Sequence, residues 1–274
     1  MKLVLVTAAV VLGFAIYRLV CVIQQSFLFQ PSREILVDPA SFGQRFDDLF
    51  LDLHSGSRVH GWFIPGNPGE KLVLFLPGAV GNLIHELNTL AFLHSFHVSV
   101  LAVEYPGFGR SDGSPYEGGC YAAAEAAWRY AVNQRGVAPE NIILFGRCLG
   151  AAVAAWLASR YDCAALVCHS AWTSVPDLIA AAYPRLPGRY FCLVRFNTLK
   201  LIKNCRAPVL LLHSEKDRTV PASHSLSLFE QARSPKRFLS LIGDHYGNDW
   251  QASPHLRSVL AAMLNGNNKE PSWK

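Results

Sequence analysis

Apolar and polar positions follow two patterns along this chain, and the change between them predicts its architecture. Two alternating runs, residues 49–54 and 58–63, flank a His-Ser-Gly-Ser turn and predict an antiparallel hairpin. From residue 72 onwards, short apolar runs alternate with longer segments of helical character. The predicted strands are 72–76, 98–103, 142–145, 165–169, 209–213 and 237–242, and the predicted helices are 83–94, 121–134, 151–161, 223–231 and 253–264. This alternation predicts an α/β domain whose mostly parallel, eight-stranded sheet has helices on both faces.

The N-terminus has the apolar pattern of a membrane helix. Residues 3–17 carry no charge, and the apolar character resumes after Arg18 over residues 19–23. The run approaches the roughly 20 residues that span a bilayer, and the Arg18 side chain can reach the headgroups. We expect a single-pass membrane anchor over residues 1–25, and basic residues on both sides leave the membrane face of the domain open. The alternative is a signal peptide cleaved near Gly13 or Ala15.

Composition divides the rest of the chain. Residues 26–48, with Pro31 and Pro39, are predicted as a linker, residues 49–266 as the α/β domain, and 267–274 as a polar tail. Residues 173–207 interrupt the alternation and are predicted as a short, irregular cap insert. With 274 residues, 51% hydrophobic and 16% charged, the chain suits one large domain.

Charge and cysteine usage exclude several classes of protein. The net charge of +5 allows weak attraction to anionic membranes, but without a Lys/Arg block no nucleic-acid partner is expected. The seven cysteines form no CxxC pair, so a complete disulfide framework is not expected, although Cys192 and Cys205 could pair in an oxidising compartment. Zinc-ligand spacing and a P-loop are both missing from the sequence. We therefore expect neither a metal nor an organic cofactor.

The strongest chemical signal is Gly146-Arg147-Cys148-Leu149-Gly150, between a predicted strand and a predicted helix. This is the spacing of a nucleophile elbow, in which a strained turn requires small residues two positions before and after the nucleophile. Cys148 would stand at a helix N-terminus, which favours the reactive thiolate. The alternative is a buried structural cysteine between two glycines that pack against a helix.

Two later strand ends supply partners for this cysteine. Asp217 follows the strand at 209–213, and His245 follows the strand at 237–242. In this order, His245 would take the thiol proton and Asp217 would orient the imidazole and stabilise its cation. Glu215 is the alternative acid. Asp244 is expected to brace its own loop and Asp249 to help start the last helix.

An acyl-transfer site also needs backbone donors for the developing oxyanion. The N–H of Leu149, directly after the nucleophile, is one candidate. The segment 77–82, Pro-Gly-Ala-Val-Gly-Asn, offers the N–H of Ala79 as the second, because Gly78 lets the backbone turn towards Cys148. Asn82 in this segment is also expected to cap the following helix.

Together these segments resemble the α/β-hydrolase superfamily over residues 49–264. More narrowly, the chain resembles the membrane-anchored Bem-type group, which includes protein depalmitoylases and lysophospholipid lipases. The N-terminal apolar helix with Phe-Leu-Phe-Gln-Pro at 27–31, the segment 77–82, and Glu-Tyr-Pro-Gly-Phe-Gly-Arg-Ser at 104–111 carry this resemblance. It assigns a structural role beside the active site to 104–111.

The chain departs from that family at three places. The oxyanion segment begins Pro77-Gly78 rather than His-Gly, and His169-Ser170-Ala171 stands where an acidic residue is frequent. The nucleophile is Cys148 rather than serine, which is similar to the dienelactone hydrolases. A triad of this kind acylates from esters and thioesters and resolves through water.

The resemblance implies a membrane-anchored hydrolase that cleaves ester or thioester bonds of small acyl or lipid substrates through Cys148, His245 and Asp217. The insert 173–207 holds four aromatic and six basic residues, which suits an acyl chain with an anionic or interfacial head; the alternative is a solvated lid. A catalytically inactive binding or scaffold protein is the second hypothesis. A reversible disulfide between Cys148 and Cys168 is the third.

Overall fold

The computed structural model describes residues 2–185, 187–233 and 235–265. The helices are α1 (Lys2–Leu28), α2 (Leu87–His94), α3 (Glu117–Arg129), α4 (Leu149–Ala158), α5 (Val175–Ala182), α6 (Gly188–Phe191), α7 (Thr198–Ile202), α8 (Ala222–Gln231) and α9 (Pro254–Asn265). The strands are β1 (Gln30–Pro31), β2 (Asp47–Asp52), β3 (Arg58–Ile64), β4 (Leu72–Leu76), β5 (Val80–Gly81), β6 (Ser99–Val103), β7 (Ile142–Arg147), β8 (Ala165–His169), β9 (Val209–Ser214) and β10 (Lys236–Leu241).

Eight strands form one sheet in the order β10-β9-β8-β7-β4-β6-β3-β2. The β2 to β3 and β3 to β6 pairings are antiparallel, and the other pairings in this sheet are parallel. The predicted fold class, a mostly parallel eight-stranded sheet, is confirmed. Because all parallel strands end at the same edge, the loops after β4, β7, β9 and β10 meet there.

The sheet separates two apolar cores. Leu72, Leu74 and Leu76 of β4 belong to the core under α3, α4 and α8, whereas Val73 and Phe75 belong to the core under α2 and α9. Every residue of β4, β7 and β8 is buried. Burial on both faces explains why these strands appear in the sequence as unbroken apolar runs.

Several predicted boundaries differ from the structure. The helix predicted at 83–94 begins as a 3₁₀ turn, Leu83–Glu86, which Asn82 caps by accepting from the N–H of Ile84. The insert predicted as irregular contains α5, α6 and α7. These helices are only four to eight residues long and prolines interrupt the insert, so no helical period could develop.

The N-terminal helix continues directly into the domain. Phe29, the first residue after α1, is 3% exposed and packs edge-on against Phe108 and Phe196. The next two residues, β1, pair with β5. Part of the predicted linker is therefore built into the fold, while the predicted tail 267–274 lies outside the described residues. By length and composition, residues 11–28 of α1 could cross a membrane, with a mean hydropathy of 1.6 and none of this window buried in the protein.

Candidate active site

Cys148 occupies the turn between β7 and α4. Its backbone has φ 53° and ψ −113°, a left-handed conformation that side chains rarely adopt. The Cys148 N–H donates to the carbonyl of His169 at 2.8 Å, which ties the turn to the end of β8. This strained and hydrogen-bonded turn holds the thiol at the edge of the sheet where the other loops meet.

Gly146 and Gly150, which flank the elbow, leave no room for a side chain. A Cβ at Gly146 would lie 2.1 Å from the carbonyl oxygen of Gly150, and a Cβ at Gly150 would lie 1.9 Å from that of Leu76. Both obstacles are backbone atoms, which cannot rotate away as side chains do. The elbow is therefore closed by direct backbone contact between β4, β7 and α4.

Asp217 and His245 come together beside Cys148. Asp217 Oδ2 accepts from His245 Nδ1 at 2.7 Å, and His245 also hydrogen-bonds the Cys148 side chain. Asp217 Oδ1 accepts from the N–H groups of Thr219 and Val220 at 2.9 and 2.8 Å. The side chains of Asp217 and His245 are 0% and 5% exposed, so this pair is shielded from water, whereas Cys148 is half-buried.

The electrostatics of these groups follow from their contacts. Burial alone would raise the pKa of Asp217, but the hydrogen bonds from His245 and the Val220 N–H outweigh it and lower the pKa to about 2. Burial would lower the pKa of His245, but the charge of Cys148 and the hydrogen bond to Asp217 raise it to about 10. Asp217 therefore stays ionised, and the imidazole of His245 readily holds a proton.

The segment 77–82 passes beside the thiol. A Cβ at Gly78 would lie 3.8 Å from the Cβ of Cys148, so the backbone approaches the nucleophile closely. Ala79, the predicted oxyanion donor, is buried in this segment. Leu149 is the first residue of α4, where backbone N–H groups lack partners within the helix. Both predicted donors thus flank Cys148.

The motif at 104–111 supports this segment at both ends. The Tyr105 hydroxyl donates to the carbonyl of Pro77 at 2.9 Å, and the Leu83 N–H donates to Glu104 Oε1 at 2.8 Å. Burial raises the pKa of Glu104 to about 8, so its carboxyl is protonated at neutral pH. The motif fixes the position of the oxyanion segment relative to the sheet.

Sequence reasoning missed a buried ion pair that links three loops of the site. Arg147, inside the elbow, donates to Glu86 Oε2 and to the carbonyl of His245, both at 2.9 Å. The two charged side chains are 7% and 9% exposed. An arginine directly after an apolar strand was the available signal, because a buried guanidinium needs a partner. Its partner Glu86 lies 61 positions earlier in the chain and could not be identified from the sequence.

A cavity of about 190 Å³ opens at Cys148 and His245. It is smaller than the roughly 300–1,000 Å³ pockets that enclose whole drug-sized ligands. Its volume suits a reacting acyl carbonyl and neighbouring atoms. Its lining includes Ala79, Val80, Glu86, Arg147, Cys148 and Tyr246.

The structure places the other acidic candidates outside the hydrogen-bonded chain. Glu215 accepts from Ser240 at the surface, and Asp244 braces its own loop through the N–H groups of Tyr246 and Gly247. Asp249 stands in the first turn of a short 3₁₀ helix, Asp249–Ala252, which precedes α9. Among the described residues, no group of His, Cys, Asp and Glu side chains could hold a metal ion.

The remaining cysteines are free thiols. Cys192 and Cys205, which could pair in an oxidising compartment, donate instead to nearby carbonyls. Cys168 is fully buried, its thiol contacts the carbonyl of Ala151, and burial raises its pKa well above the ordinary value. A buried thiol of this kind reacts slowly, which disfavours the disulfide with Cys148.

An eight-stranded, mostly parallel sheet with an elbow between β7 and α4, an acidic loop after β9 and a histidine loop after β10 is the arrangement of the α/β-hydrolase fold. The family model for the alpha/beta hydrolase fold matches residues 71–197. The chain therefore has the α/β-hydrolase fold.

The chain is also similar to individual proteins of known sequence or structure. An uncharacterized protein of Mycobacterium tuberculosis is 34% identical over 222 residues, which cover 80% of this chain and 79% of that protein. Human alpha/beta hydrolase domain-containing protein 17B is 31% identical over 188 residues, covering 66% of this chain and 62% of that protein. The esterase Pf2001 of Pyrococcus furiosus shares the fold, with a TM-score of 0.72 at 18% identity over 86% of this chain and 98% of the esterase.

Proposed function

We propose that this protein is a membrane-anchored hydrolase that cleaves ester or thioester bonds of acyl substrates. Cys148 is the nucleophile, His245 the general base and acid, and Asp217 the group that orients His245. The observation that carries the proposal is the hydrogen-bonded chain from Asp217 through His245 to Cys148, beside the backbone donors of Ala79 and Leu149. The similarity to the Bem-type group supports acyl substrates and a membrane location.

The geometry supports a two-step reaction. His245 accepts the proton of the Cys148 thiol, and the thiolate attacks the acyl carbonyl carbon. The oxyanion that forms accepts hydrogen bonds from the N–H groups of Ala79 and Leu149. Its collapse breaks the bond to the leaving alcohol or thiol, which takes the proton from His245, and leaves an acyl thioester on Cys148. In the second step, His245 deprotonates water and the hydroxide attacks the thioester carbonyl. The second oxyanion collapses, the carbon–sulfur bond breaks, the acid is released, and His245 returns the proton to the Cys148 sulfur.

The proposed anchor is α1. A helix of this length and hydropathy also fits a signal sequence, so the two are separated experimentally. We expect the protein to remain in membranes after alkaline carbonate extraction, and mass spectrometry to recover peptides that begin before residue 15. Release by carbonate, or a mature N-terminus near Ala15, would contradict the anchor.

Catalysis is tested on the purified full-length protein with p-nitrophenyl esters and acyl thioesters. Intact-protein mass spectrometry should find an acyl adduct on wild type, and tandem spectra should place it on Cys148. Cys148→Ala should lose both the adduct and turnover. Cys163→Ala is the matched control, because this thiol lies outside the cavity and burial raises its pKa. Full activity in Cys148→Ala would overturn the mechanism, and a wild type with neither adduct nor turnover would favour the binding or scaffold protein.

A further inference from the structure

The side chain of Gln24, in the last turns of α1, forms hydrogen bonds with the cap. The Gln24 Nε2 group donates to the carbonyl of Phe191, and the Leu193 N–H donates to Gln24 Oε1, both at 2.7 Å. A single amide thus satisfies two backbone groups of the cap. The cap therefore has a fixed position against the end of α1.

The position of Gln24 in the sequence indicates at what depth in a bilayer this contact would lie. The apolar run of α1 extends from residue 3 to residue 23 with Arg18 as its one charge, and Gln24, Gln25 and Ser26 follow it directly. When this run spans a bilayer, the first polar residues after it lie among the headgroups. The cap backbone at 191–193 must then lie at the same level.

The cap surface next to this contact carries aromatic rings that face outwards. Tyr183, Tyr190 and Phe191 are 60%, 77% and 68% exposed, and Phe27, one helical turn after Gln24, is 79% exposed. Aromatic rings of this kind are enriched where a membrane protein meets the headgroup region. Isolated exposed rings are common on soluble proteins. Here Phe191 adjoins the Gln24 contact, Tyr190 precedes it, and Tyr183 follows α5, which packs against α6.

The same part of the chain is cationic. No acidic residue occurs from 178 to 206, and the exposed side chains of Arg185, Arg195, Lys200 and Lys203 lie in this stretch. Among the described residues, these four form no ion pair, whereas Arg189 lies 3.8 Å from Asp177. Cations next to exposed aromatic rings complement the negative surface of an anionic bilayer.

We propose that this surface of the cap, which we call the interfacial face and which comprises Phe27, Tyr183, Tyr190 and Phe191 with the four unpaired cations, rests on the bilayer that holds α1. This inference rests on the proposed membrane anchoring. Its partner is a lipid surface that contains anionic headgroups. The exposed rings lie between the headgroups, and the cations contact lipid phosphates and carboxylates.

This arrangement also brings the catalytic cavity to the membrane. The Gln30 N–H donates to the carbonyl of Ala79 at 2.8 Å, and Gln30 is two residues after the end of α1. Two residues extend at most about 7 Å, so the oxyanion segment lies within that reach of the helix end. The substrate class that fits is an acyl group carried by a molecule of the same membrane.

Photocrosslinking tests the interfacial face on the full-length protein in phosphatidylcholine nanodiscs, with and without phosphatidylserine. Tyr190 and Phe191 are replaced one at a time by p-benzoylphenylalanine. Phe50 on β2 and Leu226 on α8 are the control positions, because they are 42% and 46% exposed on other elements. We expect about tenfold more lipid adduct at the two cap positions than at the controls. Phosphatidylserine should raise the adduct yield, and exchange of the four cations for glutamine should remove this increase.

The same probe at Phe14, 63% exposed on α1, separates the two proposals. Lipid adducts at Phe14 together with control-level yields at Tyr190 and Phe191 would overturn the interfacial face and leave the anchor standing. Control-level yields at all three positions would overturn the anchor as well. A protein adduct at the cap positions, or a phosphatidylserine effect that persists without the four cations, would also contradict the interfacial face.

Discussion

Two neighbouring regions of this molecule are held together in different ways. One, the catalytic corner, comprises the elbow, the segment 77–82 and the loops that carry Asp217 and His245. Backbones that approach too closely for any side chain at Gly146 and Gly150, together with hydrogen bonds to His245, connect its parts. The other, the cap at 173–207, consists of three short helices with outward-facing rings and cations. The groups proposed for chemistry are therefore held by close packing, whereas those proposed for substrate and membrane contact lie on an exposed surface.

The largest expected difference between the regions comes from adding one methyl group to each. Gly150→Ala places a Cβ 1.9 Å from the carbonyl oxygen of Leu76, and only a backbone shift could relieve the overlap. We expect it to lower the free energy of unfolding by about 3 kcal/mol or more. In Gly188→Ala, the one atom among the described residues that lies within 4 Å of the added methyl group is the Ile179 Cγ2, at 3.0 Å. This is the end of a side chain that can shift, so the cost should stay below about 1 kcal/mol. Urea denaturation measures both, and equal losses would break the comparison.

The next effect separates two carboxylates that lie two residues apart. In Asp217→Asn the amide oxygen stays with the N–H groups of Thr219 and Val220, so the NH2 group faces His245 and cannot accept its Nδ1 proton. The kcat for a p-nitrophenyl ester should therefore fall by about 10²–10⁴. Glu215→Gln is the matched control, since Glu215 contacts Ser240 at the surface, and its kcat should stay near wild type. A larger loss in the Glu215 variant would reassign the acid.

Arg147→Met tests the buried ion pair of the catalytic corner. It leaves the Glu86 carboxylate buried without its cation and should lower the free energy of unfolding by about 3 kcal/mol. It also removes the donor to the carbonyl of His245, so kcat should fall. Adding Glu86→Gln removes the unpaired charge and should restore stability but not kcat. Recovery of kcat in the double variant would show that Arg147 serves stability alone.

The smallest effect depends on pH. The folded protein keeps the Glu104 proton up to about pH 8, whereas the unfolded chain loses it near the ordinary pKa of 4.5. The folded state therefore binds more protons in this window, and its stability should fall as pH rises from 4.5 to about 8. Glu104→Gln should reduce the slope of this fall by at most about 1.4 kcal/mol per pH unit in denaturation series across that window. Parallel pH curves for the two proteins would contradict a buried, protonated Glu104.

Periodicity predicted the sheet because its strands are buried on both faces or alternate along a hairpin. The elbow was recognisable because its chemistry requires glycine at two fixed positions, and the elbow, acid and histidine loops follow successive strands. The structure brings Cys148, Asp217 and His245 together as this order predicts, and their roles stay proposals until the variants are measured. The positions of these three residues could be predicted from local sequence patterns because each of them follows a strand of the sheet.

Contacts between distant segments could not be predicted in this way. Gln24 reaches the cap across more than 160 positions, and Arg147 reaches Glu86 across 61. A two-residue strand such as β1 and a four-residue helix such as α6 are too short to show a hydrophobic periodicity in the sequence. Those features depend on which surfaces meet after the sheet has formed.

The hydrogen bond from the Gln30 N–H to the carbonyl of Ala79 has a practical consequence for anyone who wants a water-soluble version of this protein. Truncation that removes residues 1–31 to improve expression would delete β1 and Phe29 together with the apolar helix. The carbonyl of Ala79 would lose its hydrogen bond from Gln30. Activity measured on the shortened protein would then be lower than that of the full-length chain. Detergent or nanodisc preparations of the full length are the appropriate material for screening substrates and inhibitors.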